Sequence, residues 1–268
     1  MPRAASVDRL LSLTDVSVIA HRGGSALRPE NTMLAFDHAA SIGVDAFECD
    51  VHLSRDGEVV IIHDATLERT TDASGPVSAR TAAELSRVDA GFRFGEPAGF
   101  PHRGQTGVPR LVDLLTRHPT MPVVIELKGE DRALVPRALD VIQSCGALDR
   151  VILGGFSLDV LREVRGQVPD VPTGAASLEV QAAMRRSLIW LAPRVTGYRL
   201  FQMPVRFRGR AVLTRGFVRA ARRALCPVHA WVVDDPSEMR RLIDWGVTGI
   251  ISDRPDVARE LVRVPLIH

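Results

Sequence analysis

Short apolar runs alternate along the chain with segments in which apolar residues recur every three to four positions. A short apolar run is typical of a buried strand, and the longer period is typical of an amphipathic helix. The segment 33–40 shows one such helical face. The runs that predict strands span 16–20, 46–53, 123–127, 151–154, 172–175, 198–203, 228–233 and 249–251. The segments that predict later helices span 132–143, 159–167, 178–191, 214–224, 237–245 and 255–262.

Strands that alternate with helices indicate a parallel sheet. Eight such units in about 250 residues is the number that closes a barrel. A doubly wound open sheet is the alternative, but its glycine-rich dinucleotide fingerprint after a first strand is missing. We therefore expect an α/β fold, a TIM-type (β/α)8 barrel formed by residues 1–268 as a single domain.

A hairpin is expected directly after the second strand. The dipeptide Asp56-Gly57 is a strong signal for a two-residue turn, and the apolar run that follows it would return beside the second strand. With these two residues in the turn, counting outward places Asp50 opposite His63. The hairpin would thus bring a histidine back toward the end of the second strand.

An insertion is expected after that hairpin. Residues 65–107 are rich in Gly, Pro, Thr and Arg, and they carry only a modest helical signal around 81–88. Such a long irregular segment in a compact domain is usually a functional insertion or lid. Since it follows the hairpin, we expect it to cover the same end of the barrel.

The composition limits the possible classes of protein. The chain has 268 residues, of which 46% are hydrophobic and 25% charged, as in globular proteins. A formal net charge of +2 gives no reason to expect bulk binding to nucleic acid or to an anionic membrane. Residues 1–20 lack the apolar segment of a secretory signal, and no run approaches the ~20 apolar residues of a spanning helix. Three scattered cysteines fit a reducing compartment, so we expect a cytoplasmic protein.

Two acids lie one residue apart in the second predicted strand. Alternate side chains of a strand share a face, so Glu48 and Asp50 point the same way and Cys49 points the other way. The same alternation puts Glu126 and Lys128 on one face at the end of the third strand. Because active sites of βα barrels lie at the carboxyl ends of the strands, these side chains are expected to converge. The other polar or aromatic residues at such ends are His21, Arg22, His63, Trp231, Ser252 and Asp253.

This set of side chains predicts metal-assisted cleavage of a phosphoester. Three carboxylates suit Mg²⁺ or Ca²⁺, whereas Zn²⁺ would more often recruit the histidines directly. Arg22 and Lys128, the only lysine of the chain, indicate an anionic substrate such as a phosphate. His21 and His63 are suited to proton transfer near neutral pH.

The order of several motifs resembles the glycerophosphodiester phosphodiesterase family over nearly the whole chain. The matching motifs are Ile19-Ala20-His21-Arg22-Gly23-Gly24, Pro29-Glu30-Asn31-Thr32, Phe47-Glu48-Cys49-Asp50-Val51, His63-Asp64, Leu67-Glu68-Arg69-Thr70-Thr71, Ile125-Glu126-Leu127-Lys128 and Gly249-Ile250-Ile251-Ser252-Asp253-Arg254-Pro255. The resemblance implies a TIM-type barrel that hydrolyses glycerophosphodiesters to glycerol 3-phosphate and an alcohol. The expected partner is therefore a small-molecule substrate.

The resemblance also implies a role for each residue of the site. It gives Glu48, Asp50 and Glu126 as ligands of a divalent cation, His21 and His63 as general base and general acid in either order, and Arg22 and Lys128 as phosphate-binding residues. Glu30 and Asn31 would lie next to the ligands, and Trp231 would help to wall the glycerol side of the pocket. Attack by the substrate's own hydroxyl and direct attack by water are both compatible with these roles.

Two other functions are compatible with the same barrel. A lysophospholipase D or sphingomyelinase D-like enzyme would cleave lipid headgroups and would need an apolar groove, which Phe92, Phe94 and Phe100 of the insertion could line. A non-catalytic barrel that binds phosphorylated ligands is the third hypothesis. Departures from the family pattern, such as Val232 and Asp234 after Trp231 and Thr248 near the last strand, bear on substrate shape rather than on the chemistry.

Overall fold

Parallel strands form the centre of the molecule. The computed structural model describes residues 6–95, 99–129 and 131–263. Seven parallel strands are hydrogen-bonded in the order β5-β4-β2-β1-β10-β9-β6. The strands are β1 (Ser17–Ala20), β2 (Ala46–Leu53), β3 (Val59–Ile61), β4 (Val123–Leu127), β5 (Val151–Gly154), β6 (Phe201–Pro204), β7 (Arg206–Phe207), β8 (Arg210–Ala211), β9 (Val228–Trp231) and β10 (Gly249–Ser252).

The eighth position of the barrel is a short bridging segment between β5 and β6. Thr173 pairs in parallel with Leu153, and Gly174 pairs in parallel with Leu200 just before β6. The sheet therefore curls until its two outer strands are joined through 173–174. The predicted TIM-type barrel is confirmed, and the predicted strand at 172–175 is reduced to these two bridges.

Helices pack around the outside of the sheet. They are α1 (Met33–Ile42), α2 (Ala82–Leu85), α3 (Leu111–Arg117), α4 (Leu134–Ser144), α5 (Leu158–Gln167), α6 (Ser177–Leu188), α7 (Arg215–Arg223), α8 (Pro236–Trp245) and α9 (Pro255–Arg263). Several begin at a side-chain cap, because Thr32, Ser157, Thr214 and Asp235 each accept a hydrogen bond from a backbone N–H of the first turn. The apolar spacing did not predict α3, which is only seven residues long.

Alternation along the strands divides the core into two layers. Phe47, Cys49 and Val51 of β2 belong to the large cluster between sheet and helices. Ile19, Ala46 and Val124 belong to a smaller cluster inside the barrel, which also includes Val7 and Leu10 from the N-terminal segment. The interior is thus apolar at the end where the strands begin, and this leaves the other end for polar side chains.

A buried histidine lies among the inner side chains. His229 of β9 is fully buried, and its Nε2–H donates a 2.8 Å hydrogen bond to the carbonyl oxygen of Leu10. It packs directly against Gly249, where a Cβ atom would lie 2.3 Å from the imidazole. His229 thus ties the N-terminal segment to the barrel interior.

The hairpin after β2 has a different register from the predicted one. Ser54 N–H donates to Glu58 O, and the loop holds three residues with Gly57 at a φ of 79°. This glycine occupies the left-handed region that a three-residue hairpin loop requires. The extra loop residue shifts the pairing by one, so Ile62 and not His63 lies opposite Asp50. The predicted pairing of Asp50 with His63 is therefore wrong.

The segment that follows the hairpin has a small core of its own. Leu67, Val77 and Leu85 are buried in one cluster with Val60 and Val108. The modest helical signal corresponds to α2, which Thr81 and Glu84 hold in a reciprocal capping box. The described part of the insertion is therefore packed on the barrel, and the prediction for its remaining residues 96–98 lies outside the described ranges.

Candidate active site

Three carboxylates meet inside the barrel at the carboxyl end of β2 and β4. The parallel register pairs Asp50 with Glu126, and Glu48 lies two residues before Asp50 on the same face of β2. One carboxylate oxygen from each of the three lies within 4.8 Å of the others. Glu48 and Asp50 are almost completely buried, and Cys49 between them faces the helices.

Two cationic side chains lie against these acids. Lys128 Nζ is 2.7 Å from Glu126 Oε1 and 2.9 Å from Asp50 Oδ1. Arg22 Nε is 3.3 Å from Asp50 Oδ2, and the backbone N–H of Arg22 donates a 2.9 Å hydrogen bond to Glu48 Oε2. The turn after β1 and the end of β4 therefore bring positive charge to the same point from two sides.

The loop between β1 and α1 supplies the next contacts. Asn31 Nδ2 donates a 2.9 Å hydrogen bond to Asp50 Oδ2, and Asn31 itself adopts a left-handed φ of 57°. Asparagine tolerates this conformation better than most residues. Glu30 accepts a 2.8 Å hydrogen bond from Arg22 Nη1. Both residues thus lie beside the acids, one on Asp50 and the other on Arg22.

His21 is held by an acid from the last strand. Its Nδ1–H donates a 2.6 Å hydrogen bond to Asp253 Oδ1, which also accepts from Ser25 Oγ. Its Nε2 is 3.9 Å from Glu48 Oε2. Burial lowers the pKa of His21, but the hydrogen bond to Asp253 and the nearby Glu48 outweigh that effect and raise the pKa. The imidazole is therefore fixed with Nε2 toward the acids.

His63 is held in a similar way by the acid that follows it in the chain. Its Nδ1–H donates a 2.6 Å hydrogen bond to Asp64 Oδ1. His52 Nε2–H donates a 3.0 Å hydrogen bond to the carbonyl oxygen of His63 and so holds its backbone. Although the register differs from the prediction, His63 still lies close enough to Asp50 to help lower the pKa of that carboxyl group.

Arg69 of the insertion links His63 to Arg22 through two acids. Its guanidinium contacts Asp64 Oδ2 at 2.5 Å and both oxygens of Glu30 at 2.7 Å. Because Glu30 also binds Arg22, one chain of ion pairs runs from Arg22 to His63. Burial raises the pKa of Asp64, but the Arg69 and His63 hydrogen bonds outweigh it and lower the pKa to about 2.

The electrostatics of the acids fit a bound cation. Burial, and next the charge of Asp50, raise the pKa of Glu48, because neither Lys128 nor Arg22 neutralises it with a side chain. Burial would also raise the pKa of Asp50, but Lys128 and Arg22 outweigh it and lower the pKa. An uncompensated buried carboxylate beside two others is a donor set that a hard divalent cation would stabilise.

Aromatic rings line the side of the mouth next to Lys128. The rings of Trp231 and Phe156 are 6.3 Å apart and nearly perpendicular, and Lys128 Nζ is 5.7 Å from the Phe156 ring. Trp231 also lines a cavity of about 370 Å³ at the ends of β6 and β9. Trp231 thus borders both the Phe156 ring beside Lys128 and this cavity.

The sequence interpretation gave no role to Asp64, Arg69, Ser25 or Phe156. For Asp253 the sequence leaves substrate binding and capping of the final helix open, and neither predicts its contact with His21. The available signal was adjacency, since Asp64 directly follows His63 and Arg69 lies five residues further on. Arg69 also binds Glu30, and Ser25 binds Asp253; these partners are distant in the chain, so no local pattern predicts these two pairs.

Known proteins resemble this chain over most of its length. Residues 21–257 match the model of the glycerophosphoryl diester phosphodiesterase family. A probable glycerophosphodiester phosphodiesterase 2 from Mycobacterium tuberculosis is 35% identical over 256 residues, which is 91% of this chain and 89% of that protein. A lysophospholipase D from Rattus norvegicus is 25% identical over 277 residues, 91% of this chain and 85% of that protein.

A solved structure has the same fold. The crystal structure of a glycerophosphodiester phosphodiesterase from Agrobacterium tumefaciens superposes with a TM-score of 0.74 and 26% identity. The match covers 91% of this chain and 99% of that one. The barrel described here is therefore similar to the barrel of that enzyme over almost the full length of both chains.

Proposed function

The chain belongs to the glycerophosphoryl diester phosphodiesterase family of phosphoric diester hydrolases, and we propose that it hydrolyses glycerophosphodiesters to glycerol 3-phosphate and an alcohol. One observation supports this proposal above the others. Two histidines, each with a carboxylate on Nδ1, flank a centre of three acids and two cations. A phosphodiester needs such a centre, because its charge must be balanced while one P–O bond forms and another breaks.

His21 and His63 are proposed to move the two protons of the reaction. One histidine takes the proton of the attacking hydroxyl or water through Nε2, and the other protonates the leaving oxygen. The hydrogen bonds from Nδ1–H to Asp253 and Asp64 support this assignment, since they leave Nε2 of each ring free to exchange a proton.

Arg22 and Lys128 are proposed to bind the non-bridging phosphate oxygens. Each of the two side chains forms ion pairs with two acids, so each is oriented toward the centre before a substrate enters. Asn31 fixes Asp50, and Glu30 fixes Arg22, so both residues preserve this geometry. Trp231 would pack against the glycerol side of the substrate.

A divalent cation, Mg²⁺ or Ca²⁺, is proposed to bind Glu48, Asp50 and Glu126. When bound, it would supply positive charge against the phosphate and lower the charge repulsion among the three acids. The raised pKa of Glu48 supports this, because that carboxylate is the one that lacks a cationic side chain. Loss of the acids would therefore cost cation binding as well as turnover.

Cleavage of lipid headgroups is the second candidate, since a lysophospholipase D is among the relatives. It would need an apolar groove, but the phenylalanines of the insertion are already engaged. The Arg103 guanidinium lies 3.3 Å from the centre of the Phe100 ring and 4.1 Å from that of Phe92, and Phe94 packs on His102. These contacts favour a small water-soluble diester over a lysolipid.

A substrate panel tests the proposal. Rates are measured on glycerophosphocholine and lysophosphatidylcholine, with added Mg²⁺ or Ca²⁺ and with chelator, by release of glycerol 3-phosphate and of choline. We expect glycerol 3-phosphate from glycerophosphocholine and loss of that activity with chelator. Faster release of choline from lysophosphatidylcholine would support the lipid function instead, and turnover of neither substrate would support a binding protein.

A further inference from the structure

The near-neutral net charge conceals an uneven distribution. Residues 180–233 contain eleven arginines and no aspartate, glutamate or lysine. Since the whole chain has a formal net charge of +2, the other residues together carry −9. Ten of these arginines are exposed, and five of the ten lie in α6 and α7, which are neighbours on the outside of the barrel.

Large apolar side chains are exposed within the same region. We call Leu188, Ile189, Trp190, Leu191 and Leu225 the apolar tip. Leu188 is 80% exposed, Trp190 82% and Leu225 76%, and Ile189 and Leu191 are also exposed. Scattered exposed leucines are ordinary on protein surfaces, but a run of four with a tryptophan is not.

Contacts between loops hold the apolar tip together. Arg223 Nη2 donates a 3.1 Å hydrogen bond to the carbonyl oxygen of Trp190, which connects the end of α6 to the end of α7. Arg186 Nε donates a 2.8 Å hydrogen bond to the carbonyl oxygen of Ala192. The backbone is thus fixed in a shape that presents these side chains outward.

The apolar tip lies at the end of the barrel opposite to the active site. α6 starts after the bridging segment 173–174 and ends before β6, and Leu225 lies between α7 and β9. Both positions are therefore at the end where the parallel strands begin. The neighbouring helices bring one exposed acid each to this end, Asp170 after α5 and Asp244 in α8, whereas the last turns of α6 and α7 carry Arg185, Arg222 and Arg223.

We propose that this surface docks the protein on an anionic membrane. Arginines around an exposed tryptophan and leucines match the combination that peripheral proteins use, charge toward anionic headgroups and apolar side chains into the interface. A nucleic acid would satisfy the arginines but would offer no apolar layer for Leu188 and Ile189. A second copy would bring arginines such as Arg185 and Arg223 against their own like charges.

Docking in this orientation has a consequence for the active site. The mouth around Glu48 and Lys128 would face away from the bilayer, because it lies at the other end of the barrel. The protein would therefore be held beside a membrane while it takes substrate from the aqueous phase. This inference does not depend on the identity of that substrate.

Vesicle co-sedimentation tests the proposal with the full chain. We expect binding to phosphatidylcholine vesicles that contain about one-third phosphatidylglycerol, little binding to pure phosphatidylcholine, and weakening as NaCl is raised from ~0.1 M to ~0.5 M. The double variant Leu188→Ser/Trp190→Ser should lower the partition constant on the order of tenfold. Arg185→Gln/Arg222→Gln should lower it about fivefold for each arginine.

The control is Phe207→Ser, which removes an exposed aromatic residue flanked by arginines in the β7–β8 hairpin, outside the apolar tip. It should bind vesicles like the unchanged protein, and melting curves check that every variant is folded. Equal loss in Phe207→Ser, or no loss in Leu188→Ser/Trp190→Ser, would overturn the proposal. Tight binding of single-stranded RNA without vesicle binding, or self-association that Trp190→Ser abolishes, would also overturn it.

Discussion

His21 Nδ1 lies 2.6 Å from Asp253 Oδ1, although 232 residues separate them in the chain. The parallel pairing of β1 with β10 makes this contact, since Ala20 pairs with Ser252 and the next residue of each strand projects into the barrel mouth. His63 has the same relationship with Asp64, which is adjacent in the chain. The two histidines are thus oriented alike by two different routes.

Asp253→Asn should lower kcat on glycerophosphocholine by about 10²-fold and change KM little. The amide can no longer stabilise a protonated His21, and it can hold the wrong tautomer of the ring. The acid limb of the pH–rate profile should also shift, which a merely structural role would not produce. The control is Asp256→Asn, three residues away in an exposed pair with Arg254, which should keep full activity. An unchanged pH profile in Asp253→Asn would contradict the role.

Arg69→Met should lower kcat by about tenfold or more with only a small change in melting temperature. The substitution releases Glu30 and Asp64 together, so both Arg22 and His63 lose a fixed neighbour. Because Arg69 is nearly half exposed, its ion pairs add little to stability. Steady-state kinetics and melting curves separate these effects. Arg80→Met, also in the insertion, is the matched control, and an equal loss of activity there would count against a specific role for Arg69.

The barrel could be predicted from the sequence because its strands are mostly apolar runs. β2, β4 and β5 have the predicted bounds, since burial on both faces makes most of their residues apolar. The segment 172–175 could not be predicted as two bridges, because its pairing depends on how far the sheet curls. The predicted register of the hairpin was wrong for a local reason. Asp56-Gly57 predicted a two-residue turn, but the loop has three residues and Gly57 takes its left-handed position.

The sequence likewise predicts some residues of the candidate site and misses others. Glu48, Asp50, Glu126 and Lys128 could be brought together from strand alternation and from the rule that active sites of βα barrels lie at the carboxyl ends of the strands. The contacts of Arg69 and Asp253 depend on where the insertion and the last strand lie in three dimensions. The excess of positive charge in 180–233 is visible in the sequence, but the net charge of the whole chain hides it because the other residues are acidic on balance.

Glu126→Gln should raise the concentration of Mg²⁺ or Ca²⁺ needed for half-maximal activity by at least ~10²-fold. It removes one of the three carboxylates, while Gln keeps the size of the side chain. Cation binding should also raise the melting temperature of the unchanged protein, and this shift should shrink in the variant. Glu58→Gln, at an exposed position of the hairpin, serves as control. A cation-induced shift that is equal in both variants would contradict the site.

His229 should make the protein less stable below about pH 6.5. Burial lowers its pKa from 6.5 to about 4, although the hydrogen bond to Leu10 O acts in the other direction. The unfolded chain therefore binds a proton between these pH values while the folded chain does not. The stabilisation is fully present above the unfolded pKa and is lost as pH falls toward the folded one, a loss of about 3 kcal/mol for one site.

His229→Gln isolates this contribution, because a glutamine amide can donate to Leu10 O and does not titrate. Urea unfolding at a series of pH values gives the free energy of unfolding of both proteins. The variant should have the lower free energy of unfolding at pH 7, since the amide fills the space beside Gly249 less well. The difference between the two free energies of unfolding should shrink by about 3 kcal/mol by pH 4. Other groups titrate alike in both proteins and cancel. The control is His102→Gln, in the insertion, whose free energy of unfolding should change with pH in parallel with that of the unchanged protein. A parallel curve for His229→Gln as well would mean that the buried imidazole is protonated without cost.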